Sequence, residues 1–454
     1  MLLSDRAIHI LGVGNLGKYV AHALATHYPR LPVTLIFRKK DSYDKFVDGG
    51  RKITKWVDEH TQDSKSGFRA EWIGQSRPGS PHISNLIVAT KGQQTLTPVG
   101  FLSPRLDRNS TVLLLQNGMG VKEELDSQIL AFRSPEHRPS YWAGVCSTGV
   151  FGRGDPTRPV CPFTFQVAGT GPLNIGPFSE SQEIEKKHPL RRALEKCHPT
   201  LRTEFLDNEK IKLARLRKLV MNAVINPLTV VHRCPNGWLR SLERFRALPD
   251  HPVTGITAEY RPSSLVAEIG PIVRAVLDLP SGNPKLDEAW SDLALLREAL
   301  LLADRTGENQ SSMLQDVEGG RETEIDYICG WLIKKARELG LKCPRGTQNL
   351  YHYIKFRKWE NGEELKRLGP SPRGAASVED MKAMDEFIGG RNMVTVEKPE
   401  WLKAKVTIET PEWLKPKPVS KGDKPWGKAP KRANKYMAKA QGPGKGKVKP
   451  TASI

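Results

Sequence analysis

The sequence predicts an α/β domain, then an all-α domain, then a disordered basic tail, and three observations carry this expectation. The chain opens directly on an apolar strand pattern, a glycine turn and a helix pattern, spanning Ala7 to Ala25. Short apolar runs of strand length recur up to residue 203, and from Glu204 the apolar residues return with the 3.6-residue period of helices. After about Gly389 the composition shifts to Lys, Pro, Gly and Ala, with too few apolar residues to bury a core. The expected boundaries are therefore 1–203, 204–389 and 390–454.

A chain of 454 residues accommodates two or three domains with sizeable cores. With 38% apolar residues and a mean hydropathy of −0.46 it reads as a globular protein with a polar appendage. No run approaches the roughly 18 apolar residues of a membrane span. The six cysteines form no CxxC pair, and their spacings suit neither a zinc site nor a disulfide framework, so a reducing compartment is expected. The formal charge is +20, but Trp413 to Ile454 hold 12 Lys or Arg against one Asp, so the basicity is largely a property of the tail. The segment 415–454 would suit a polyanion such as RNA, a ribosome or an acidic surface, or serve only to solubilise.

The elements follow in order. Ala7 to Leu11 is a short strand pattern, and GVGNLG follows at Gly12, Val13, Gly14, Asn15, Leu16 and Gly17. The glycine spacing is that of a dinucleotide-binding turn: Gly12 for the tight turn, Gly14 for close approach of a pyrophosphate, Gly17 for helix–strand packing. The helix N-terminus beyond it offers unpaired N–H groups to phosphate. This defines a Rossmann-type N-terminal domain. Its early start argues against a long cleavable presequence. A second strand, Val33 to Phe37, ends on Arg38, Lys39 and Lys40, where NAD-dependent proteins place an acid. Cations there favour a 2′-phosphate, hence NADPH, unless they are merely solvated. Residues 41–80 are polar and show no pattern. Ile83 to Ala89 and Thr111 to Leu115 are further strands, and Lys91 and Asn117 follow their carboxyl ends, where ligands gather in open parallel sheets. β-like runs lie at Trp142–Val145, Thr164–Ala168 and Pro172–Ile175, with a loop at Pro156–Pro162.

The helical half opens with KLVMNAVINPLTVVHRCPN, Lys218 to Asn236. Lys218, Asn222 and Asn226 recur every four residues and share one face. Such groups on an otherwise apolar helix need polar partners, unless the stripe faces water. Pro227 suggests a kink, and CPNG presents Asn236 on a turn. Leu265–Leu277, interrupted by Gly270-Pro271, and Ala289–Ala303 read as helices, separated by the turn-rich Pro280–Pro284. In SSMLQDVEGGRETEIDYICG, Ser312 with Gln315 fits a capping box, so Ser312 reads as a cap. Glu324 near the start of the next helix reads as a dipole-friendly acid.

GVGNLG, LLLQNGMG, KLVMNAVINPLT with HRCPNG, and SSMLQDVEGGRETEIDYICG, in this order, resemble the ketopantoate reductase family over roughly residues 7–355. The resemblance implies NADPH-dependent reduction of 2-dehydropantoate in a cleft between the two domains, on the route to coenzyme A. It implies Lys218 as general acid and Glu324 as the acid that reaches cofactor and active site, countering the lowered pKa of Lys218 and holding its ammonium. It further implies Asn117, Asn222, Asn226, Asn236 and Ser312 as substrate contacts. Gly12 to Gly17, Arg38, Lys91, Asn117 and Val150 would be cofactor contacts. Ser147-Thr148 stands where the family often has Thr-His, and the segments 41–80 and 240–305 are long, which leaves another 2-oxo acid open. The alternative function is a non-catalytic or dual role in mitochondrial translation, which the basic tail would suit. Cytoplasm is the default compartment, with a mitochondrial location under an uncleaved signal as the alternative. A homodimer is one expected assembly.

Overall fold

The strands β1 (Ile8–Leu11) and β2 (Val33–Phe37) are buried at every position, as expected for central parallel strands covered on both faces. The structure, a computed structural model, describes residues 7–77, 79–152, 163–180, 183–244, 260–278 and 284–356. The expected loop at Pro156–Pro162, most of the stretch from Pro280, and the tail at 390–454 with its polyanion segment lie outside these residues.

Between β1 and β2 runs α1 (Asn15–His27). The chain continues through α2 (Lys40–Asp48), β3 (Ile53–Trp56), β4 (Gln62–Lys65), β5 (Arg69–Trp72), β6 (Asn85–Val88), α3 (Leu96–Leu102) and β7 (Thr111–Leu114). It then forms α4 (Val121–Glu124), β8 (Ser140–Cys146), β9 (Gly149–Phe151), β10 (Thr164–Gly169), β11 (Leu173–Pro177), α5 (Pro189–Lys196), α6 (His198–Leu201) and β12 (Thr203–Phe205). Eight strands make one sheet in the order β12-β11-β8-β7-β6-β1-β2-β5, parallel except for the β8–β11 pair. The strand order reverses between β1 and β6, which opens a crevice beyond their carboxyl ends.

Residues 41–80 are not featureless. They supply α2, β5 and the hairpin β3–β4, which joins β9 and β10 in a second sheet of order β4-β3-β10-β9. The hairpin turn is closed by Asp58, whose carboxylate accepts from His60 N at 2.8 Å and Thr61 N at 2.7 Å. β4, with the sequence QDSK, is an edge strand with alternate residues exposed, so backbone pairing rather than an apolar face defines it.

The helical half comprises α7 (Asn208–His232), α8 (Leu239–Arg244), α9 (Pro262–Leu277), α10 (Pro284–Ala289), α11 (Asp292–Arg305), α12 (Ser312–Glu318), α13 (Trp331–Glu338) and α14 (Arg345–Phe356). Asp207 caps α7 by accepting from Lys210 N at 2.8 Å. α7 runs unbroken through Pro227, and α9 begins at Pro262 and runs through Gly270-Pro271. Neither proline divides its helix. Each forfeits one backbone hydrogen bond, while Val224, Leu228, Ile269, Ile272 and Val273 around them are fully buried in one shared core. Among the described residues no helix is long and apolar enough to cross a membrane. The five described cysteines are all free thiols.

Candidate active site

The glycine turn leaves β1 and enters α1 as its spacing requires. Gly12 has φ +96°, and a Cβ there would lie 2.7 Å from Thr90 N. A Cβ on Gly17 would lie 2.0 Å from Gly12 O, whereas one on Gly14 would meet nothing within 4 Å. The turn is thus tight against the protein and open on the side of Gly14. No side chain caps the N-terminus of α1. Open space, bare helical N–H groups and a positive dipole end together fit a pyrophosphate. A Cβ on Gly152, just after β9, would lie 3.3 Å from Asn15 Oδ1, so the end of the strand that carries Val150 lies beside the turn. Arg38, at the end of β2, donates to Gln94 Oε1 at 2.7 Å, and its carbonyl accepts from Trp72 Nε1 at 3.3 Å. A half-buried guanidinium held this way fits a 2′-phosphate beyond the second strand.

Lys218 lies on α7, the spine of the helical half, and is partly buried. Its Nζ donates to the Cys146 carbonyl at the end of β8 at 2.6 Å. Burial lowers its pKa, and the nearby Cys146 and Glu324 push it back up. An ammonium has three N–H donors, so two remain for other acceptors.

Glu324 belongs to the segment just before the helical turn Asp326–Gly330, yet its carboxylate crosses to the α/β half. Oε1 accepts from Gly92 N at 3.2 Å and Oε2 from Asn117 Nδ2 at 3.1 Å. Burial raises its pKa, against the lowering effect of Asn117, the Gly92 N–H and Lys91. Its sequence position suggested an ordinary first-turn acid. Instead it is a buried acceptor between the two halves, because the chain beyond β6 and β7 presents two donors there. No hydrogen bond or ion pair joins Glu324 to the Lys218 ammonium among the described residues: its two oxygens accept from Gly92 and Asn117, and its charge acts on the lysine through space.

Lys91 forms an ion pair with Asp316 of α12 and donates to Glu322 O at 3.4 Å. Around it Met119 N donates to Tyr327 O at 2.8 Å, and Tyr327 Oη donates to Glu124 at 2.7 Å. Gly118, with φ +81°, would carry a Cβ only 2.3 Å from Tyr327 O, so this approach requires glycine.

Asn222 is half-buried and Asn226 buried, and neither side chain hydrogen-bonds a described residue. They continue the polar stripe of Lys218 along α7. Asn236 opens the turn that follows α7, and Ser312 opens α12 beside Ser311, which meets Thr229 one turn beyond Asn226. Thr229 there is some 16 Å of helix rise from Lys218. Asn236 Nδ2 donates to Thr306 Oγ1 at 2.9 Å, and its buried Oδ1 has no partner among the described residues. Ser312 is exposed, and Ser311 rather than Ser312 is the cap: its Oγ accepts from Leu314 N at 3.1 Å and meets Thr229 Oγ1 at 2.6 Å. The buried serine takes the cap because Thr229 supplies it a second partner.

A cleft lies against Lys218 and Asn117, with Lys122, Phe178, Arg215 and Leu219 among its walls. The guanidinium of Arg215 stacks 4.3 Å from the centre of the Phe178 ring. Sequence reasoning missed Arg215, although it precedes Lys218 by three residues and extends the same stripe. It also missed Asp316, the one acid inside the apolar run MLQDV. No sequence signal identifies the Cys146 carbonyl or the Gly92 N–H, which are backbone groups.

Two family models match the chain. "Ketopantoate reductase PanE/ApbA" covers residues 8–180 and "Ketopantoate reductase PanE/ApbA C terminal" covers 210–358. A 2-dehydropantoate 2-reductase of Salmonella typhi is 30% identical over 355 residues, covering 78% of this chain and 95% of that protein. The ketoisovalerate reductase BEA2 of Gibberella fujikuroi is 26% identical over 378 residues, covering 74% and 80% respectively. In fold, the chain is similar to D-mandelate dehydrogenase in its ternary structure with NADH and anilino(oxo)acetate. The TM-score is 0.58 at 18% identity, over 78% of this chain and 98% of that one.

Proposed function

The chain belongs to the ketopantoate reductase family, a family of oxidoreductases, and from that premise we propose that it reduces 2-dehydropantoate to pantoate with NADPH. The observation that carries this reading is Lys218: a partly buried ammonium, aimed by the Cys146 carbonyl into a cleft it shares with Asn117.

When bound, NADPH supplies a hydride to the keto carbon. The glycine turn with the N-terminus of α1 would hold its pyrophosphate, and Arg38 its 2′-phosphate. Negative charge that develops on the substrate oxygen is met by Lys218, whose Nζ donates the proton and so acts as general acid. The Cys146 carbonyl fixes one N–H and leaves the others for the substrate. Burial eases loss of the proton, and the charge of Glu324 keeps the lysine protonated before the step. Asn222 and Asn226, whose side chains have no hydrogen-bond partner among the described residues, orient polar groups of the substrate along α7.

The test is a spectrophotometric screen of NADPH and NADH oxidation with 2-dehydropantoate, 2-ketoisovalerate and phenylglyoxylate. Fastest turnover of 2-dehydropantoate with NADPH is expected. In Lys218→Ala, kcat should fall by about 10²- to 10⁴-fold, with NADPH affinity retained. Bound cofactor without any 2-oxo acid turnover would refute the reading.

A further inference from the structure

We propose that Arg215 binds the carboxylate of the 2-oxo acid and thereby sets the requirement for an acid substrate, an inference that rests on the reductase reading above. Arg215 and Lys218 are one helical turn apart on α7 and line the same cleft. Other cations nearby have carboxylate partners. Lys122, on the same cleft, pairs with Asp126 at 2.6 Å, and Arg217 pairs with Glu298 and donates to Ala289 O at 2.9 Å. Among the described residues Arg215 makes no hydrogen bond and no ion pair; it rests on the face of Phe178. The exposed Glu123 attracts it but does not pair with it.

Arg215 and Lys218 line one cleft, and an anion held there would give the guanidinium the partner it lacks among the described residues. A 2-oxo acid is built for this arrangement, since its carboxylate is bonded directly to the keto carbon. With the keto oxygen at Lys218 Nζ, the carboxylate falls beside it, within reach of a side chain one turn away. The planar guanidinium offers two parallel N–H groups that match a carboxylate, and the Phe178 ring holds the fork in one orientation before substrate arrives. The rest of the substrate then extends the other way, toward Asn222 and Asn226.

The test compares a 2-oxo acid with its neutral 2-oxo amide on the full-length protein, with Arg215→Met, which retains the stem that packs on Phe178, and Arg215→Lys. KM for the acid, and its dissociation constant by calorimetry with NADP⁺ present, should rise roughly 10- to 100-fold in the Met variant. The amide should change less than about two-fold, and the Lys variant should fall between. Equal changes for acid and amide, or no change for either, would overturn the proposal. If the wild type turns over no 2-oxo acid, the reductase reading fails. The calorimetric preference for acid over amide, and its loss without Arg215, still decides the role of this residue.

Discussion

Glu324 offers the most discriminating perturbation, because its carboxylate joins two parts of the chain that are far apart in sequence. Removing it in Glu324→Ala strands two donors, Gly92 N–H and Asn117 Nδ2. Each buried donor left unpaired costs about 1–3 kcal/mol, so the loss is roughly 2–6 kcal/mol. At roughly 2 °C per kcal/mol for a chain of this size, Tm should fall by about 4–12 °C. Glu324→Gln keeps an acceptor for Gly92 but faces Asn117 with a second amide, and should lose about half as much. The pH dependence has a definite sign. Burial raises the carboxyl pKa in the fold, so its contribution to stability is full below the ordinary carboxyl range and is lost as pH rises through the folded value. Gln cannot ionise, and the stability difference between wild type and Gln variant should therefore shift in favour of the variant as pH rises across that window. Glu324 also raises the Lys218 pKa. Without its charge, the fall of kcat on the alkaline side, where Lys218 loses its proton, should begin at lower pH. The assays are thermal unfolding from pH 4 upward and kcat against pH. An unshifted alkaline limb in the Gln variant would refute the through-space coupling, and a Tm unchanged in the Ala variant would refute the bridge.

Two alanine substitutions in the glycine turn should separate cofactor binding from folding. Gly14→Ala meets open space, so Tm should hold while Kd for NADPH rises; Gly17→Ala drives a Cβ to 2.0 Å from Gly12 O and should lower Tm by several degrees. Arg38→Ala should raise KM for NADPH by about 10-fold or more and leave KM for NADH nearly unchanged, since only the 2′-phosphate is lost; equal losses would remove the basis for cofactor selectivity. Ser311→Ala should cost about 1 kcal/mol in denaturant unfolding through loss of the α12 cap, while Ser312→Ala, on an exposed residue, should cost less than about 0.5 kcal/mol.

What the sequence determined by itself is what depends on near neighbours. The turn Gly12 to Gly17 has a local signature in the positive φ of Gly12 and the approach of Gly17 to Gly12 O, and the stripe of Lys218, Asn222 and Asn226 follows the helical repeat, so both were legible. β1, β2, β6 and β7 were legible because strands buried on both faces are mostly apolar, each here carrying a single polar residue. The hairpin β3–β4 was not, because an edge strand is defined by its partner's backbone. The tertiary structure alone decided where Glu324 points. Its donors, Asn117 and Gly92, are 207 and 232 residues away in sequence, and no local periodicity encodes a contact at that separation. The same holds for the Cys146 carbonyl that aims Lys218 and for the choice of Ser311 as cap, made by Thr229 across the helical core. Local pattern placed the lysine on the inward face of α7. Packing of β8, β11 and the segment after Glu324 against that helix gave it a direction, a through-space counter-charge and a cleft.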